Sequence, residues 1–462
     1  MRILPALLTT LLLATTGSAA TNTDSPHAAK TFEIYQHIIE VDSSSGTAGA
    51  PRIAAYLAEQ LLAAGFPEKD LEIVELEGTA AFIARFRGDG SAGKAPILLL
   101  GHMDVVGAES EDWGRPPFQL TRDDGRFYGR GTIDNKFGIA QLTATFIRLR
   151  NEGFVPNRDL VLVFSGDEET EQMTTRHLTS ERTDIAGAAF ALNSDAGGGV
   201  LDVNGRPVVY TIQTAEKTYA TFEITARNPG GHSAAPSPDN AIYELAGAIT
   251  RLQAHRFPVR WTETTLSYFE ETGRQTGGEL GDAMLRFAAD PNDERAADRL
   301  FREPSYVGST RTTCIPTLLQ AGQVENALPQ VATVTVNCRI FPGVPVEEVQ
   351  SVLHELAGAE NFEIGLIGPP VVESPPSPLQ DDVMAAVRKA VHARYPGVPL
   401  MPYMSSCVTD GMYFRQAGIP TWAIRGAFAK PGESRAHGQN ENVPVDSFYE
   451  ALDQWSIIQR EL

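Results

Sequence analysis

Three short apolar runs in the first half of the chain each end on an acid or a histidine, and this constrains the fold more than any other feature. Ile97-Leu98-Leu99-Leu100 runs into His102-Met103-Asp104. Residues 160–164 run into Ser165-Gly166-Asp167-Glu168-Glu169, and residues 188–192 into Asn193-Ser194-Asp195. Apolar runs of this length, bounded by turn signals, suit strands buried on both faces, as inside a parallel sheet. Helical spacing recurs around them: Ile34, Ile38 and Ile39, then Ile53, Leu57, Leu61 and Leu62, then residues 137–149. Strands alternating with helices give an α/β layered domain with a mixed, largely parallel sheet. In such sheets functional groups collect just past the carboxyl ends of the strands, where these runs place their acids and histidine.

The pattern changes near Ile212. Residues 219–225 alternate like a half-exposed strand, 240–254 read as a helix, 333–340 as a strand, 346–356 as a helix and 362–367 as a strand. That is a small α+β unit with an antiparallel sheet. Inside it, residues 262–304 are polar, charged and partly helical, as an insertion would be. Pro-rich 369–378 reads as a linker, after which the first style returns. The expected division is a catalytic-type domain in two parts, 21–212 and 369–462, interrupted by a lid-type domain at 213–368.

The first twenty residues read as an address. Arg2 precedes a short apolar stretch, and Gly17-Ser18-Ala19-Ala20 offers small residues for cleavage, so 1–20 is expected to be a signal peptide and the protein exported, to a periplasm or the medium. The charge sum of −20 over 462 residues argues against nucleic acid as a partner, and no later apolar run is long enough for stable membrane insertion. Three cysteines are too few for a disulfide scaffold; Cys314 and Cys338 could pair in an oxidising compartment, which sequence alone leaves open.

Five segments carry chemistry. His102 has a carboxylate, Asp104, two positions on, and metal-bound imidazoles use such an acceptor for the other ring N–H. Asp134 follows the glycine-rich turn Tyr128-Gly129-Arg130-Gly131 and precedes a helix, where an N-cap is the alternative role. Asp167, Glu168 and Glu169 repel one another unless a cation sits among them. Asp195 ends the third run, and His437 lies in Ala436-His437-Gly438-Gln439-Asn440-Glu441. Two histidines with three or four carboxylates suit a pair of zinc-like ions bridged by one carboxylate. A solvated acidic loop explains one segment but not the set. No Gly-x-Ser-x-Gly elbow is present, which argues against that type of serine hydrolase.

In this order the segments resemble the M20 family of metallopeptidases and amidohydrolases, over nearly the whole chain from about His27. Trp113-Gly114-Arg115-Pro116-Pro117-Phe118, the Gly129-Arg130-Gly131 turn and the insertion are most similar to the carboxypeptidase S and N-acyl-amino-acid hydrolase branch. The resemblance implies that His102 and Asp195 hold one metal, Glu169 and His437 the other, and Asp134 both, with a cis bond between Asp134 and Asn135. It implies Glu168 as general base and Asp104 as the residue orienting His102. Two divalent ions per chain are expected, zinc first, with cobalt or manganese able to use similar ligands. Pro229-Gly230-Gly231-His232-Ser233 matches the lid motif whose histidine reaches the active site, in many members from the partner subunit. Asn326 and Arg339 match positions that bind the substrate carboxylate. The expected activity is hydrolysis of an amide beside a free-carboxylate amino acid, in a small peptide or an N-acyl amino acid, by a carboxypeptidase, dipeptidase or aminoacylase. An N-acyl-amino-acid amidohydrolase without peptidase activity and an exported, non-catalytic solute receptor are the competing readings. A homodimer through the lid is also implied, unless the insertion covers that surface.

Overall fold

The computed structural model describes residue 23 and residues 25–358 and 361–462. The expected signal segment lies outside the described residues.

The three apolar runs lie side by side. Leu160–Ser165, Ile97–His102 and Phe190–Asn193 are neighbouring parallel strands with Ile97–His102 in the middle, all fully buried. Their side chains alternate between two cores, which is why the runs have no polar face. Ile97 and Leu99 pack with the helices Pro26–Ile39, Gly49–Ala63 and Lys136–Asn151, while Leu98 and Leu100 pack with Leu178 and Phe414 on the other side. Thr79–Phe86 and Leu71–Leu76 extend the sheet antiparallel beyond Leu160–Ser165. On the other flank come Thr421–Ala423, Pro207–Glu216, Gly198–Leu201 and Phe428–Ala429, and Leu400–Ser405 pairs parallel with Pro207–Glu216. Ten described strands thus form one mixed sheet, with strands from both ends of the chain.

The chain leaves that sheet four residues later than the pattern change at Ile212 predicts. Pro207–Glu216 stays paired with Leu400–Ser405 as far as Glu216, and Thr218–Arg227 already belongs to a second sheet. Lys217 alone separates the two strands. The sequence signal comes early because the far half of Pro207–Glu216 is buried and already includes polar residues, such as Gln213 and Thr214.

The second sheet is antiparallel throughout, in the order Thr313–Ala321, Val331–Ile340, Thr218–Arg227, Phe362–Ile367. Helices Ala241–Ala254 and Val346–Ala357 share its core. Cys314 and Cys338 face each other on paired strands and are disulfide-bonded, while Cys407 is free and exposed. Gly231–His232 pairs with Ala327–Leu328 in a separate two-stranded ribbon. The insertion consists of three helices, Glu263–Thr276, Gly278–Ala289 and Glu294–Phe301, around Phe269, Met284, Phe287 and Leu300. It packs against Leu400–Ser405, with Thr272 Oγ1 3.4 Å from Met401 Sδ, and reaches the neighbouring Pro207–Glu216, where the Thr264 and Thr214 hydroxyls lie 2.5 Å apart. Among the described residues no helix is long and apolar enough to cross a membrane.

Candidate metal centre

Parallel pairing puts the ends of the three central strands at one edge, so their polar successors converge. His102 closes the middle strand, Glu168 and Glu169 follow one neighbour and Asp195 the other. His102 Nε2 lies 3.0 Å from Asp134 Oδ1 and 3.4 Å from Asp195 Oδ1. His437 Nε2 lies 3.2 Å from Asp134 Oδ2 and 2.9 Å from Glu169 Oε1. Three trios result, each with ligand atoms within 4.8 Å of one another: His102/Asp134/Asp195 and Asp134/Glu169/His437, which share Asp134, and His102/Glu168/Glu169. Asp134 turns Oδ1 to His102 and Oδ2 to His437, one oxygen to each of the two trios it joins. The Asp134–Asn135 bond is cis.

The electrostatics are those of acids forced together. Burial, then the Asp134 charge, pushes Asp195 up to about 6. Burial holds Glu168 well above the usual carboxylate range, with Asp195, Asp410 and Glu169 adding to it against His102. Hydrogen bonds to Asp134 and Glu169 raise His437 to about 10. For His102, burial alone favours the neutral ring, but Asp195 and the neighbouring carboxylates outweigh it and hold the pKa well above its ordinary value. Two imidazolium rings thus carry the positive charge among the carboxylates. A site that stabilises two cationic rings between three carboxylates has the donor set for divalent ions: two ring nitrogens and carboxylate oxygens, one carboxylate shared.

The scan against protein families matches the description "Peptidase family M20/M25/M40" over residues 98–458. The chain belongs to this family.

The protein is therefore an M20-type metallohydrolase. It is 27% identical over 362 residues to the human N-fatty-acyl-amino acid synthase/hydrolase, covering 76% of this chain and 71% of that one. It is 24% identical to a probable carboxypeptidase S-like protein of Dictyostelium discoideum, over 78% and 70% of the two chains. Its fold matches the M20 metallo-carboxypeptidase of Sulfolobus solfataricus with a TM-score of 0.70 at 20% identity, over 93% and 98% of the chains.

Around this M20 site, other residues set the geometry. Asp104 faces His102 with both its carbonyl and its carboxylate. Its backbone carbonyl, 3.0 Å away, is the nearer acceptor for His102 Nδ1, and its carboxylate is 3.5 Å off. That carboxylate also accepts the backbone N–H groups of Glu168 and Glu169, at 3.0 and 2.9 Å, and so shapes their turn. Glu441, fully buried, accepts from the backbone of Gly131, Ile133 and Asp134 and from Arg130 Nη1 at 2.7 Å. It thereby welds the Asp134 turn to the His437 loop. Asp410 accepts from the hydroxyls of Ser165 and Thr175 beneath the Glu168 turn. Arg425 bonds the Asp195 carbonyl, and Asn193 Oδ1 accepts from the Asp195 N–H at 3.0 Å. In the sequence Glu441 stands four residues after His437, but nothing local marks Glu441, Asp410 or Arg425 as bracing residues.

The lid residues are not brought to the centre together. The segments that carry His232 and Asn326 are paired: His232 lies opposite Ala327, and Ser233 N–H donates to the Asn326 carbonyl at 3.1 Å, on the exposed ribbon. Arg339 lies at the opposite end of Val331–Ile340. It donates to the Ser406 carbonyl at 2.6 Å and stacks over Tyr219 at 4.5 Å. Eight residues separate Arg339 from Val331, roughly 26 Å at strand rise. Asn326 precedes that strand by five residues, and no hydrogen bond joins it to Arg339 among the described residues. Among the described residues, no hydrogen bond or ion pair joins His232 or Asn326 to the five-residue cluster.

Proposed function

We propose that this protein hydrolyses the amide bond joining an acyl or aminoacyl group to an amino acid with a free carboxylate. The observation that carries the reading is the pair of trios sharing Asp134, with the Glu168 carboxyl beside them. His102 and Asp195 would hold one divalent ion, Glu169 and His437 a second, and Asp134 both. Zinc is the first choice, because imidazole nitrogen and carboxylate oxygen suit it. Such ions, when bound, supply Lewis acidity and make water acidic enough to ionise near neutral pH.

The chain's own residues do the rest. Glu168 takes the proton from the attacking water and returns it to the leaving amine. Burial, which favours its protonated form, makes it a competent acid for that second step. Asp104 fixes the Glu168 backbone, so the carboxylate is held where it is used. Arg339 binds the substrate carboxylate, its planar fork exchanging the Ser406 carbonyl for two carboxylate oxygens.

His232 stabilises the developing oxyanion and Asn326 helps bind substrate, both in the site of a second copy. The separation of Arg339 from the ribbon supports this, as does the apolar free edge of Thr313–Ala321. Ile315, Leu318 and Leu319 there are 60–64% exposed, and Ile242 and Tyr243 are exposed on helix Ala241–Ala254. An uncovered apolar edge is what a pairing interface needs. The insertion leans on Leu400–Ser405 and leaves that edge open. The Cys314–Cys338 disulfide supports an oxidising compartment, in keeping with export.

The test is a panel of dipeptides, longer peptides and N-acyl amino acids, including long-chain acyl forms, assayed before and after chelation. Chelator-sensitive release of a free amino acid is expected. Cleavage of N-acyl amino acids alone would select the amidohydrolase reading, and no cleavage with any added metal would favour a receptor.

A further inference from the structure

The motif Trp113-Gly114-Arg115-Pro116-Pro117-Phe118 and the residues flanking His437 have no part in the chemistry above, yet they meet. Gly114, Arg115, Arg126, Glu433, Arg435, Asn440 and Asn442 line a cavity of about 450 Å³. Three guanidinium groups face a single lining acid, in a chain whose net charge is −20. Each arginine has donor capacity left. Arg126 bonds Asn442 Oδ1 through Nε and Glu433 at 3.0 Å through Nη1, while its buried Nη2 has no partner among the described residues. Arg115 stacks on Tyr128 at 3.7 Å and reaches Asp123 at 3.4 Å, while its buried Nε has none. The Arg435 side chain makes no hydrogen bond or ion pair among the described residues. Glu433 is shared further with Lys430 at 3.8 Å. The half-buried Asn440 also leaves its Oδ1 atom buried without a partner among the described residues.

Clustered guanidiniums with free donors are the chemistry that recognises oxyanions, since the planar fork matches phosphate and carboxylate alike. The walls point to a consequence. They come from both sides of His437 and from two fixed segments, 114–115 and 126–128. The intervening loop is held in unusual backbone: Arg435, His437 and Asn440 have φ of 54°, 63° and 56°. We propose that this cavity is an oxyanion-binding site, for a phosphate or a carboxylate group, whose occupation ties the His437 loop to the body of the domain. An anion bridging Arg435 to Arg115 and Arg126 would cross-link that loop to residues that do not move with it. The binding claim does not rest on the hydrolase reading.

The test uses the metal-loaded full chain and the double variant Arg115→Gln, Arg435→Gln. Inorganic phosphate titrated by calorimetry should bind the wild type saturably and the variant at least tenfold more weakly. Hydrogen exchange over residues 430–442 should slow at least threefold with phosphate in the wild type only. A second arm asks whether the anion is carried by substrate, by comparing N-succinyl-leucine with N-butyryl-leucine. A tenfold fall in their kcat/KM ratio in the variant assigns the site to a substrate carboxylate. Phosphate binding equal in both proteins belongs to the metal ions; that result, or no phosphate binding, together with an unchanged kcat/KM ratio, overturns the proposal.

Discussion

The two sheets treat their functional residues in opposite ways. In the large sheet, side chains scattered from position 102 to position 437 end within a few ångströms of one another. In the small sheet, Arg339 stands near the finish of Val331–Ile340, whereas Asn326 lies before that strand begins, beside the separate ribbon. The difference is one of strand direction. Parallel neighbours put every carboxyl end on the same edge, so each residue just past a strand arrives at the same place. Antiparallel neighbours alternate ends, so residues that follow successive strands are divided between two edges. The large sheet therefore gathers a site within one chain, and the small sheet does not gather its motif residues on one edge.

That comparison is broken most severely at Asp134, which is shared by two trios. Asp134→Asn should remove metal from both positions and lower kcat/KM by roughly 10,000-fold, since ions of this kind supply several kcal/mol. Metal analysis beside the assay checks it, and retention of both ions would end the bridging assignment. Next is Glu441→Gln. It leaves Arg130, 3% exposed, without its counter-charge, so unfolding free energy should fall by about 3–5 kcal/mol in denaturant titrations.

The lid half of the comparison is sharpened by mixing. His232→Ala should lower turnover roughly 100-fold to 1,000-fold, as loss of an oxyanion donor does. Combined in equal amounts with a Glu168→Gln protein and allowed to exchange subunits, it should regain about a quarter of wild-type activity, because half the dimers are mixed and each has one complete site. No recovery would place His232 in its own chain's site, or outside the chemistry. Within the lid, Cys338→Ser opens a loop of 24 residues, which should cost about 3 kcal/mol of stability with little change in kcat.

The smallest effect concerns protons. His437, raised to about 10, and His102, also raised, carry protons at neutral pH in the metal-free protein and must lose them to ligate. Metal binding at pH 7 should therefore release protons, and apparent affinity should rise with pH. Calorimetry in buffers of different ionisation enthalpy reads this directly; proton uptake would contradict it.

Much of the site was legible because its logic is local. A buried strand followed by His-x-Asp or by consecutive acids is visible in one stretch of sequence, and the α/β alternation says where such stretches point. Residues that act by bracing were not legible. Glu441 and Asp410 serve segments about 240 to 310 positions away, and no spacing rule links them to their partners. Asp104 was found, but the use of its carboxylate on the Glu168 and Glu169 amides depends on a turn that only the fold supplies. The lid residues were recognisable by motif, whereas their separation was not, because motif order says nothing about strand direction. The boundary at Ile212 came four residues early for the same kind of reason, since one strand can change its surroundings before it changes sheet.

The measurement that bears most directly on the central claim is the metal content and turnover of Glu168→Gln, determined on one preparation. Its carboxylate lies beside the ligands but is assigned to proton transfer. The account predicts about two ions per chain, as in the wild type, with turnover lowered roughly 100-fold to 10,000-fold. Loss of an ion would make Glu168 a ligand, and wild-type turnover with both ions bound would remove it from the chemistry altogether.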